Sequence, residues 1–141
     1  EGSEIHMSHI VPLAGMAMTR MISETFKIPI NQAEEYKRTY GVDKQQVEGK
    51  IYNTLNGLID SLVVEIKKVV ANFSNMEKDK RIEKIVLVGG GAFLKGFTSV
   101  LVEKTGLDVV IGEPFGPVEV PEKIKASGVL YATTLGLAIS E

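Results

Sequence analysis

The residues best suited by type to meet a ligand are three consecutive glycines, Gly89, Gly90 and Gly91. An apolar run of β character, Ile85-Val86-Leu87-Val88, leads into them, and a helical pattern is expected to begin around Phe93 and Leu94. Glycine lets the backbone turn sharply and come close to whatever lies above it. A helix start behind such a turn offers unpaired N–H groups and the positive end of a dipole, which suits an anion or a polar ligand. Many α/β domains use the same strand–turn–helix arrangement only for close packing, so this stretch alone leaves both uses open. Two sharper patterns are unmet. The phosphate loop GxxxxGK[ST] would need Lys and then Ser or Thr after Gly96, where the chain has Phe97 and Thr98. The dinucleotide fingerprint GxGxxG fails because Leu94 stands in the place of its third glycine.

Other chemistries are excluded by composition. There is no cysteine, so thiolate zinc sites, disulfides and cysteine nucleophiles are absent. The absence is compatible with a reducing cytoplasm. His6 and His9 are the only histidines and have no carboxylate at ligand spacing, so they are expected on the surface of a strand rather than on a metal. The net charge of -2 and the lack of a Lys/Arg cluster speak against nucleic acid as a partner. No apolar run approaches the ~20 residues that a transmembrane helix needs. Glu1 is not a natural start residue, which suggests a piece of a longer chain and removes any weight from missing targeting signals.

The elements that must position the glycines read as a soluble α/β domain. Ile5 to Leu13 alternates as a strand, with Gly2-Ser3 as a hairpin turn before it. A helix is expected over Met16–Phe26, with Met18, Met21, Ile22 and Phe26 as its apolar stripe. A second helix, from about Gln32 to Tyr40, would be capped by Asn31, carry Glu34 and Glu35 in its first turn and stop at Gly41. The longest helix, capped by Asp43, is expected from about Lys44 to Phe73. Its apolar positions are Val47, Ile51, Leu55, Leu58, Leu62, Ile66, Val69 and Phe73. Burying them would contribute roughly 10–20 kcal/mol before entropy is subtracted. After the glycines a helix to about Lys104 faces Phe97, Val100 and Leu101 inward and stops at Gly106. A second buried strand follows over Asp108–Ile111, then a rigid loop from Gly112 to Pro117, a loop or short turn over Val118–Lys125, and a small-residue helix from about Ala126 to Ile139.

In this order the features resemble the second half of an actin-like ATPase (ribonuclease H-like) fold. Pro12-Leu13-Ala14-Gly15 with Thr19 is similar to that superfamily's P-I-G-G segment and its following Thr, with Ala14 departing from the first glycine. Ala33-Glu34-x-x-Lys37 resembles its A-E-x-x-K helix, and Ile85 to Gly96 resembles its adenosine segment I-x-L-x-G-G-G-A-x-L-x-G. Thr134-Leu135-Gly136-Leu137-Ala138 resembles the A-L-G-L-A ending of PilM-type pilus assembly proteins. Only Gly41 to Asp43 separate the second and third helices, where the cell-division protein FtsA and the shape protein MreB carry a small sheet. Glu113-Pro114-Phe115 is placed like the N-P-F of PilM-type proteins.

The resemblance implies a mixed sheet packed by helices. A large subdomain would span approximately 1–27 and 60–141, and a small helical subdomain approximately 28–59. It implies bound ATP with magnesium in the complete protein. Gly89, Gly90 and Gly91 would lie against the ribose and α-phosphate region, with Lys37 as donor and Glu34 as acceptor beside the adenosine. The parts that clamp phosphate and orient water would precede this segment, so the chain alone is expected not to hydrolyse ATP. The implied role is a cytoplasmic platform at the inner membrane, meeting a PilN-like partner and open to self-association. The alternatives are an FtsA-like filament protein that tethers division machinery, and an interaction scaffold that keeps the fold without nucleotide.

Overall fold

The computed structural model describes residues 6–11, 15–115, 120–121, 124 and 128–139. Helix α1 (Gly15–Phe26) follows the expected stripe, with Ile22 fully buried and Met18 nearly so. A left-handed Lys27 ends it, and the Ser23 hydroxyl donates to the Ile28 carbonyl at 2.6 Å across the turn. Helix α2 (Ile30–Tyr40) begins two residues earlier than its sequence suggests. Pro29 occupies the N-cap position with no side-chain cap, and its carbonyl accepts the Ala33 N–H at 3.0 Å. Asn31 therefore lies inside the helix, and Glu34 and Glu35 lie beyond its first turn, where the helix dipole no longer accounts for them. Gly41 closes α2 at φ 59°, donating its N–H to the Lys37 carbonyl at 2.9 Å.

The long helix α3 (Lys50–Met76) starts six residues later than its periodicity predicts. Asp43 does accept the Gln45 N–H at 2.9 Å, but the chain then makes a 3-10 turn at Gln46–Gly49. Val47, Glu48 and Gly49 are left-handed there, at φ 50°, 54° and 71°. Val47 leaves the stripe and is exposed. Ile51, Leu55, Leu58, Ile59 and Val63 form the buried face of α3, each contributing roughly 1.5–3 kcal/mol of burial.

Strands β1 (Lys84–Leu87) and β2 (Asp108–Ile111) pair in parallel, Ile85 opposite Val109 and Leu87 opposite Ile111. Parallel pairing needs a crossover, supplied here by α4 (Phe97–Thr105), whose inward residues are Phe97, Val100 and Leu101 as expected. Gly106, left-handed at φ 73°, caps it. The glycines do not feed this helix directly. Gly90–Phe93 is a 3-10 turn, Leu94 is extended, and Gly96 at φ 75° is the N-cap of α4. The N-terminal dipole of α4 is thus removed from the glycines. One core joins α1, α2, α3, α4 and β2. A 3-10 turn at Gly128–Tyr131 leads into α5 (Ala132–Ile139).

Residues 6–11 are not a strand. They run along α3, where His9 Nε2 is 3.0 Å from Glu65 Oε2 and the His6 ring packs edge-on against Phe73. The expected hairpin at Gly2-Ser3, the Pro12-Leu13-Ala14 segment and most of Val118–Lys125 lie outside the described residues.

Candidate functional site

Helices α1 and α2 pack so that Thr19 faces Glu34 and Lys37, which are neighbours one turn apart on α2. The Lys37 ammonium donates to Glu34 Oε2 at 2.7 Å, to Thr19 Oγ1 at 2.8 Å and to the Gly15 carbonyl at 3.0 Å. Those are all three of its protons. The hydroxyl of Thr19, 1% exposed, lies 2.6 Å from Glu34 Oε2 and 2.9 Å from the Gly15 carbonyl. Arg38 Nε donates to the other carboxylate oxygen, Glu34 Oε1, at 2.9 Å. Hydrogen bonds from Lys37 first and Thr19 next hold the Glu34 carboxyl down to about 2, against the opposing effect of burial. Glu34 is thus a fixed anion at any physiological pH.

Glu34 and Lys37 of this network line a cavity of about 630 Å³, together with Gly15, Met18 and Arg38, while Thr19 lies behind them. Gly90, Gly91, Phe93 and Leu94 of the glycine turn line the same cavity, as does Leu130. The structure therefore brings Glu34, Lys37, Gly90 and Gly91 to a single cavity. Gly89 is outside its lining. It holds φ 78° and ψ -172°, a conformation open essentially to glycine alone, and donates its N–H to the Val129 carbonyl at 2.9 Å. Gly90 and Gly91 have no positive φ, and a Cβ at either would meet nothing within 4 Å among the described residues.

The sequence placed none of Arg38, Phe93, Met18 or Leu130 at a ligand, Met18 being expected only in the apolar stripe of α1. Arg38 had a readable signal, since it stands four residues after Glu34 on one helix. The others come together only through tertiary packing. Arg20 and Lys95, the remaining cations near these motifs, are not in the lining. Among the described residues no group of three or more His, Asp or Glu is placed to hold a metal ion, and no helix is long and apolar enough to cross a membrane.

Comparison with known proteins bears on this geometry. No curated protein matches the chain. A solved PilM-PilN type IV pilus biogenesis complex contains a similar chain, at 28% identity and a TM-score of 0.74. The likeness covers 93% of this chain and 38% of that one, so this chain spans well under half the length of its structural neighbour. The family described as type IV pilus assembly protein PilM matches residues 8–141. The chain belongs to the PilM family of type IV pilus assembly proteins.

Proposed function

We propose that this chain forms the adenosine side of an ATP cleft in a type IV pilus assembly platform built on an actin-like fold. The observation that carries the proposal is the meeting of α2 and the glycine turn across one cavity. A Cβ at Gly41, Gly96, Gly112 or Gly128 would strike neighbouring atoms, whereas Gly90 and Gly91, like Gly57 and Gly136 on their helices, meet nothing within 4 Å among the described residues, and of these four only Gly90 and Gly91 line the cavity. The fold does not itself demand glycine at those two positions, and close approach of a ligand backbone or ring would. Phe93 and Leu130, both about half exposed, with Met18 and Leu94, supply apolar surface for a purine. The Arg38 guanidinium, a planar cation with 78% of its side chain exposed, can lie against the face of the base. Glu34 Oε1 keeps acceptor capacity for a ribose hydroxyl.

Lys37 has no proton left for a ligand, so its part is to fix α1 against α2 and hold Glu34 in place, rather than to donate to adenosine. The described residues provide no ligand set of their own for magnesium, which would arrive on the triphosphate. ATP supplies the transferable phosphoryl group when bound. Glu34, held near 2, is too weak a base to activate water, and no other lining residue takes that role. The role we assign to the chain is therefore binding.

The similar chain comes from a PilM-PilN complex, which supports a PilN-like partner; the cytoplasmic face of the inner membrane is the place this reading assigns to the meeting. Calorimetry of the full-length polypeptide with ATP–magnesium tests the nucleotide half of the proposal. Wild type should bind, and Arg38→Ala should weaken binding by about 2–5-fold, the loss of an exposed cation–π contact. Absence of binding at millimolar ATP would refute it and leave a scaffold. Co-purification with the PilN-like protein tests the partner half.

A further inference from the structure

We infer that Gly41 and Gly96 form a clasp that sets the separation of α2 and the glycine turn, so that a ligand touching both binds only while the clasp is shut. The inference rests on the nucleotide reading of the cavity, and extends it to residues outside the lining. At the end of α2 the connector Gly41-Val42-Asp43 crosses the loop Lys95-Gly96 backbone to backbone. The Val42 N–H donates to the Lys95 carbonyl at 2.8 Å, and the Val42 side chain is fully buried. A Cβ at Gly41 would lie 2.3 Å from the Lys95 carbonyl oxygen and 2.7 Å from its nitrogen. A Cβ at Gly96 would lie 2.7 Å from both Cα and N of Asp43. Each glycine thus exists to let the other strand of chain pass.

Both arms of the crossing are short routes to the cavity. On one side Gly41 donates to the Lys37 carbonyl, and Lys37 lines the cavity. On the other, Lys95 follows Leu94 directly, which lines the same cavity and donates its N–H to the carbonyl of Gly91. Parting the crossing therefore moves α2 away from the glycine turn, and closing it fixes their distance.

Site-resolved amide hydrogen exchange on the full-length polypeptide, with and without ATP–magnesium, tests the clasp in the unmutated protein. Without nucleotide, the Val42 amide should exchange faster than that of Ile59, which is fully buried in α3. At a nucleotide concentration of about 100 times Kd, Val42 exchange should slow by about 100-fold, because binding draws on the closed form alone. Gly96→Ala gives a second reading. Alanine can adopt the left-handed φ there under strain, but the added methyl must push Asp43 away. ATP affinity should fall at least tenfold while the far-ultraviolet spectrum is kept. Unchanged Val42 exchange, while amides of Gly90 and Gly91 respond to nucleotide, overturns the clasp and leaves the nucleotide reading intact. No response at any amide, with no heat of binding, overturns both.

Discussion

Replacing Lys37 by methionine removes the centre of the α1–α2 network while keeping most of the side-chain stem. The variant loses three hydrogen bonds, to Glu34, Thr19 and the Gly15 carbonyl, and leaves the Glu34 carboxylate with Thr19 and Arg38. The Lys37 side chain is only 13% exposed, so water replaces its donors poorly. Breaking a largely buried charged pair costs about 2–3 kcal/mol here, below the value for a fully buried pair because Glu34 is one-third exposed. The pH dependence gives an independent reading. Glu34 is lowered from 4.5 to about 2, so its contribution is complete above about pH 5 and is lost as pH falls toward 2. Undiscounted, that shift corresponds to roughly 3 kcal/mol, and solvent screening of a partly exposed group reduces it to about 1.5 kcal/mol. Lys37 is the largest cause of the depression, so the variant should show a flatter stability curve over that window. Urea unfolding of the chain at pH 7, 5, 4 and 3, followed by circular dichroism, should therefore find the gap between wild type and variant narrowing as pH falls. A gap below about 0.5 kcal/mol at pH 7, or parallel curves across the range, would refute this account of the network.

The glycines should separate by position. Gly89→Ala should cost about 1–3 kcal/mol in thermal unfolding, since its φ and ψ suit glycine alone. Gly90→Ala should leave thermal stability unchanged or slightly raised, while calorimetry of the full-length polypeptide shows ATP affinity lowered at least tenfold. Val47→Gly should stabilise the chain by about 0.5–1 kcal/mol in urea unfolding, because the strain of a left-handed β-branched residue outweighs the entropy of glycine. Leu55→Ala, at a fully buried position of α3, should cost about 2–5 kcal/mol in the same assay.

The parts of the fold legible from sequence are those governed by side-chain periodicity or by glycine stops. The stripes of α1 and α4, the positions of strands β1 and β2, and the stops at Gly41 and Gly106 all follow from residue type, although Val86 and Ile111, expected within buried strands, are about half exposed. The start of α3 was not legible, because Val47 keeps the hydrophobic phase of the helix while its backbone is left-handed. Hydrophobic spacing carries no information about φ. The cap signal of Asn31 did not mark the start of α2, which begins at Ile30 behind Pro29 with no side-chain cap at all. In the site, Glu34 and Lys37 came from resemblance rather than from spacing. Their partner Thr19 is 15 and 18 residues away, a contact that only the packing of α1 on α2 creates. The hydrogen bond of Gly89 to Val129 spans 40 residues and was equally invisible.

The most direct test of the central claim is an amide NMR titration of the full-length polypeptide with ATP–magnesium, run in parallel with GTP. The account predicts saturable shifts at Gly90, Gly91, Phe93, Glu34 and Arg38, larger with ATP than with GTP. Saturable shifts at other residues with these five unmoved, or no shift at millimolar ATP, would contradict it.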